Sequence, residues 1–225
     1  MMLRLYHSPM ACSLAARLAL AASELDHEIR FVRIAAGENR SDEYLAINPM
    51  GQVPALVTPD GTLTEVIAIL GYIADMAPEK RLLPEAGTYE RALACSRLSY
   101  LSATVHAAYR PVVRPRPGCD NDAALEAARD HLNATLTHLD RMMAGRPFVL
   151  DDFSLCDLLL LVLLGWRRAP ALHGHLIELP ELDRFQSRML AEGNRAEVIS
   201  EEMAMLFGAS GAGTEPEGIS PGGEK

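Results

Sequence analysis

"LYHSPMACSLAARLAL", Leu5 to Leu20, joins a short apolar run to a proline, a thiol and a helical pattern. Leu3 and Leu5 alternate at strand period, and Leu14, Leu18, Ala21 and Leu25 recur at helical spacing. The stretch therefore reads as strand, turn and helix, with Cys12 at the helix start. Backbone N–H groups and the helix dipole there favour an anion, hence a thiolate. A free cysteine is also commonly a small core residue, like Ala11 and Ala15 beside it. Position alone leaves both readings open. Ser13 can hydrogen-bond a sulfur or simply cap the helix.

Outward from this stretch, "EIRFVRI" reads as a second strand with Ile29 and Phe31 on one face. A polar loop around Gly37 to Ser41 and a helical turn in "DEYLAIN" follow. "VPALVTPDGTLT" reads as two short strands about the Asp60-Gly61 turn. Val66, Ile69, Leu70 and Ile73 mark an amphipathic helix ending before Pro78. The order predicts a small mixed sheet carrying helices, an α/β domain over 1–79 with a linker at 80–87.

From Thr88 the alternation disappears and an all-α domain is expected over 88–207. Ala94, Leu98, Leu101, Val105 and Ala108 make one helical face; Leu125, Ala128, Leu132, Leu136, Leu139 and Met143 make another. Between them lies "RPVVRPRPG", whose prolines at 111, 115 and 117 are expected to break the helix. In "FSLCDLLLL", Ser154 stands three residues ahead of Asp157, the spacing of a capping box. "PELDRFQSRMLAEG" and "RAEVISEEMAMLF" fit two further helices. Residues 208–225 are rich in Gly, Pro, Ser and Glu, and disorder is expected there.

The 225 residues are long enough to bury a core, and the formal net charge of -9 argues against nucleic acid or an anionic membrane as partner. The longest apolar run, "LLLLVLLGW" from Leu158 to Trp166, is about half a membrane span and reads as a buried helix. No basic stretch followed by an apolar one opens the chain, so a cytoplasmic protein is expected. The four cysteines, Cys12, Cys95, Cys119 and Cys156, form no CxxC pair and no Cys/His grouping, so neither a disulfide scaffold nor a metal is expected. "HGH" at His173 to His175 lacks a carboxylate or thiol cluster and reads as surface loop.

"YHSPMACSL", "YLAINPMGQVPAL", "LTEVIAILGYIAD" and "FSLCDLLL", in that order, resemble the glutathione transferase family, most closely its bacterial beta class, which carries a cysteine where Cys12 stands. The resemblance covers about the first 207 residues. It implies a thioredoxin-like domain followed by a helical bundle, a homodimer, glutathione as co-substrate and no metal. It implies a cis Pro54, with Gln52 and Val53 docking the cysteinyl part of glutathione, and it places Glu65 and Val66 at the γ-glutamyl end. Catalytic roles fall on Cys12, Ser13 and His106. Many relatives have serine where Val66 stands, and lysines where Met50 and Ala107 stand; Arg110, or the arginines of "RPVVRPRP", would then supply the missing charge. Tyr109, Val112, Val113 and Trp166 are candidates for a pocket holding an apolar electrophile. Two chemistries follow for Cys12, stabilising the glutathione thiolate or forming a mixed disulfide with it. A non-catalytic binding or stress protein is the alternative, favoured by the polar groups lost at Met50, Val66 and Ala107.

Overall fold

The computed structural model describes residues 2–208. Apart from Gly208, the tail expected to be disordered lies outside them. The chain opens with strand β1 (Leu3–His7), helix α1 (Leu14–Ser23) and strand β2 (His27–Phe31), paired parallel to β1 from Leu3 opposite His27 to His7 opposite Phe31. After two 3-10 turns come the short α2 (Asp42–Leu45) and the hairpin of β3 (Ala55–Thr58) and β4 (Gly61–Thr64). β3 runs antiparallel to β1 and β4, giving the order β2-β1-β3-β4. Helix α3 (Val66–Met76) closes this part, with Val66, Ile69, Leu70 and Ile73 all buried as their spacing predicts.

The inward face of β1 continues the Leu3, Leu5 alternation to His7, which is fully buried. On α1 the buried face is Leu14, Ala15, Ala16, Leu18, Ala19, Leu20 and Ser23. This differs from the expected stripe: Ala21 is exposed and Leu25 lies beyond the helix end. The reason is that α1 is covered on more than one side, packing against α3 and also against a helix of the second part.

That second part is helical throughout. Helix α4 (Tyr89–Tyr100) starts with the Thr88 hydroxyl accepting from the Arg91 N–H. It passes through a π-helical turn at Leu101–His106 into α5 (Ala107–Val113). Ala94, Leu98, Leu101, Val105 and Ala108 are all buried, as the sequence predicts. Pro111, however, lies inside α5 rather than ending it. A proline removes one N–H bond and crowds one carbonyl, which the short remaining helix tolerates. The break comes at Arg114 (φ -147, ψ 70), where Pro115 drives its predecessor out of the helical region.

Helix α6 (Asp122–Met142) buries Leu132, Leu136 and Leu139, while Leu125 and Ala128 stay half-buried. Helix α7 (Leu155–Gly165) is buried along nearly its whole length and is the helix against which α1 packs. Its start is the expected capping box. The Ser154 hydroxyl accepts from the Cys156 N–H at 3.3 Å, and Asp157 accepts from the N–H of Ser154 and of Val149, each at 2.8 Å. Helices α8 (Pro180–Ala191) and α9 (Arg195–Gly208) complete the described chain. No described helix is long and apolar enough to cross a membrane.

Candidate active site

The loop from Ser8 to Ser13 leaves the end of β1 and enters α1, and Cys12 sits on it half-buried. Its thiol donates toward the Val53 carbonyl at 3.5 Å. The Val53-Pro54 peptide bond is cis. The segment before it is fixed from α2 and the turn that follows: Tyr44 Oη and Asn48 Nδ2 both donate to the Gln52 carbonyl, at 2.5 and 2.7 Å. Gly51 completes the turn with φ +60, and a Cβ there would lie 2.8 Å from the Asn39 carbonyl oxygen. Glu65 is exposed at the N-terminus of α3 with φ 66, a left-handed conformation that is uncommon for a residue with a Cβ. Val66 beside it is buried.

Two opposing influences act on the Cys12 sulfur. Burial pushes its pKa up to about 11; the backbone N–H groups of Cys12 and Ser13 and the charge of Arg114 pull it down, and Glu65 raises it further. The helix start works in the direction expected from the sequence, but desolvation outweighs it. The group is therefore a neutral thiol at physiological pH, where the helix start alone favours a thiolate.

Ser13 does not cap α1; its side chain makes no cap hydrogen bond. Its Oγ lies 2.7 Å from His7 Nδ1 and accepts from the Ser8 N–H at 3.2 Å. His7 Nε2 meets Glu202 of α9 at 2.6 Å, and all three side chains are fully buried. Glu202 also accepts from Arg17 at 2.8 Å and from the Met10 N–H at 2.8 Å. Burial alone would raise its pKa, but the hydrogen bonds from His7, Arg17 and Met10 and the charge of His7 hold it below the usual carboxylate range. The Met10 carbonyl in turn accepts from Trp166 Nε1 at 2.7 Å. Met10 has φ 55, so the loop bearing the thiol is held in an unusual conformation by one bond on each side of a single residue, both from the helical part.

The sequence reading missed His7, Asn48, Tyr44 and Glu202. For His7 a signal existed, since the Leu3, Leu5 alternation carries it to the buried face, where an imidazole needs partners. Glu202 gave none, because its partners lie 185 or more positions away.

On the helical side, His106 is packed edge-on against Trp166, ring centres 4.8 Å apart, and Tyr109 meets the same indole at 5.6 Å. Burial, then the charge of Arg110, lowers the His106 pKa. Tyr109 and Val112 are buried in the core and present no open surface, unlike the half-buried Val113 and Trp166. Arg110 and Arg114 are exposed. Cys95 and Cys119 are exposed and Cys156 is buried. Among the described residues no group of three or more His, Cys, Asp or Glu could hold a metal ion.

A thiol at a strand–helix junction, facing a cis-proline turn, belongs to a thioredoxin-like domain joined to a helical domain. Residues 1–75 match the family model for the glutathione S-transferase N-terminal domain. Glutathione S-transferase GST-4.5 of Xanthomonas campestris is 34% identical over 197 residues, 85% of this chain and 95% of that protein. The structure of a sphingomonad glutathione S-transferase complexed with glutathione superposes with a TM-score of 0.78 at 35% identity, covering 89% of this chain and 98% of that one. The bacterial beta class enzyme of Sphingomonas chungbukensis gives the same score and identity over 88% and 98%. The chain belongs to the glutathione S-transferase family, and its likeness to the beta class is the one its motifs imply.

Proposed function

We propose that the protein is a glutathione transferase that joins the glutathione sulfur to a small electrophile with a largely apolar body, and that Cys12 assists as a neutral hydrogen-bond donor. The observation that carries this reading is the Cys12 thiol, protonated by burial yet set at the mouth of the Val53-Pro54 turn. A donor there stabilises a second sulfur as thiolate. The glutathione sulfur attacks the electrophilic carbon, the S–C bond forms, the leaving group departs with its bonding pair, and the thiol proton goes to solvent.

In this reading Gln52, Val53 and Pro54 receive the cysteinyl part of glutathione as an added strand, and Glu65 with the N–H of Val66 holds the γ-glutamyl end. Ser13, oriented by His7 and Glu202, supports the loop, and His106 with Arg110 borders the sulfur from the helical side. Glutathione as the ligand is supported by the sphingomonad relative, whose structure is a complex with it. A homodimer belongs to the same reading, as the family resemblance implies. A mixed disulfide at Cys12 would need the thiolate that burial disfavours, so conjugation is the favoured chemistry.

Titration calorimetry with glutathione and conjugation of a chlorodinitrobenzene test the reading. Binding is expected, with kcat falling about tenfold or more in Cys12→Ala and less in Cys12→Ser, which keeps a donor. No detectable heat at millimolar glutathione overturns it in favour of a non-catalytic binding protein. A glutathione adduct found by mass after treatment with glutathione disulfide, and absent in Cys12→Ala, moves the assignment to disulfide exchange.

A further inference from the structure

The loop that bears the thiol turns on Met10. Pro9 and Met10 are the central pair of a turn closed by the Ala11 N–H on the Ser8 carbonyl at 3.1 Å. The second central position carries φ 55, a value for which turns favour Gly, yet Met10 has a Cβ. Such a conformation persists only where its surroundings hold it. Cys12 follows two residues later, so the direction of its thiol toward the Val53 carbonyl, 3.5 Å away, depends on how this turn is held.

Trp166 holds it from the helical part. It caps the end of the buried α7, and its own N–H bonds the Leu163 and Leu164 carbonyls, so the indole projects from a fixed backbone. Indole Nε1 donates to the Met10 carbonyl at 2.7 Å, the short end of the range for such a bond. The Met10 methyl lies beside Gly165, where a Cβ would stand 3.5 Å from it. His106 and Tyr109 meet the indole edge-on, ring centres 4.8 and 5.6 Å away, and steady it. A wall for an apolar electrophile needs only the ring. The bond to Met10 needs the N–H.

Resting on the transferase reading, we propose that Trp166 is a positioning residue for the transfer: its indole N–H, by holding the Met10 carbonyl, keeps the Cys12 thiol aimed at the mouth of the Val53-Pro54 turn. The thiol loop belongs to the α/β part, so its aim depends on the helical part docked against it. Without the N–H the Met10 carbonyl loses its partner, and the turn relaxes toward the negative φ that a methionine prefers. Cys12 then gives up its place opposite Val53. The Glu202 bond to the Met10 N–H remains, so the loop is loosened and not freed.

Trp166 is the only tryptophan of the chain, so an analogue supplied in its place enters at that position alone. Benzothienylalanine keeps the shape of the indole and lacks its N–H, whereas a fluorotryptophan keeps both. The full-length protein carrying each is compared with the unaltered one in conjugation of a chlorodinitrobenzene, and in iodoacetamide labelling of Cys12 without glutathione. With benzothienylalanine, kcat is expected to fall about fivefold while the KM for the electrophile stays near its original value, and labelling of Cys12 at neutral pH is expected to rise. The fluorotryptophan form should match the unaltered protein in both, and Trp166→Phe should follow the benzothienylalanine form in kcat. Unchanged kcat and unchanged labelling with benzothienylalanine overturn the proposal. So does a rise in the electrophile's KM with kcat kept, since the indole is then only a wall. If the unaltered protein conjugates nothing, the transferase reading falls by itself, and labelling that rises with benzothienylalanine still supports the hold on Cys12.

Discussion

Ser154 and Ser13 stand at the N-terminal caps of two helices that belong to different parts of the molecule, both are buried, and each is tied to a carboxylate network. Their networks differ in reach. Ser154 pairs with Asp157 three positions on, so the helix start is satisfied by a local motif. Ser13 leaves its helix uncapped and turns to His7, whose other nitrogen meets Glu202 on α9. The first arrangement secures a helix. The second secures the loop that bears Cys12, and it does so with the last described helix of the chain.

Removing each carboxylate separates the two roles. Glu202→Ala is expected to have the largest effect, about 3–5 kcal/mol in urea unfolding, because His7, Arg17 and the Met10 N–H lose a shared buried partner. Conjugation by the folded variant should fall as well, since the loop is released on one side of Met10. The same carboxylate sets an acid limit. Its folded pKa is depressed, so its contribution is full above the unfolded value near 4.5 and is lost as pH falls through the lower folded value. Stability that is flat with pH below 4.5, or identical in Glu202→Gln, breaks this account.

Asp157→Ala is expected to cost about 2–3 kcal/mol, since the N–H groups of Val149 and Ser154 lose their acceptor, while the KM for glutathione stays near its original value. A marked rise in that KM would mean that the local box reaches the site after all. Gly51→Ala should cost about 1–3 kcal/mol through its positive φ and the Asn39 carbonyl, and it should weaken glutathione binding, because the turn before Val53 must shift. The smallest effect concerns reactivity. Iodoacetamide at neutral pH should label the exposed Cys95 and Cys119 well before Cys12, whose labelling should climb as pH approaches about 11. Fast labelling of Cys12 at neutral pH contradicts a protonated thiol and with it the donor role.

Much of the fold was legible in the sequence because its signals are local. The alternation of Leu3 and Leu5, the helical spacing of Val66, Ile69, Leu70 and Ile73, and the Ser154/Asp157 box each depend on a handful of neighbouring residues. Pro111 reads as a helix stop and is not one, because a proline costs a helix one bond and some crowding, and the structure bears that cost until Pro115 acts on Arg114. Tyr109 and Val112 belong to the core rather than to an open pocket, since the order of the family motifs places a segment beside the site without saying which of its side chains are covered.

The sequence by itself determined the α/β part followed by helices, the family, and the presence of a thiol at a strand–helix junction. Only the tertiary structure decided the state of that thiol and who holds it. Desolvation depends on how much protein surrounds the sulfur, and the partners of His7 and Met10 arrive from Glu202 and Trp166, residues that no local pattern connects to them.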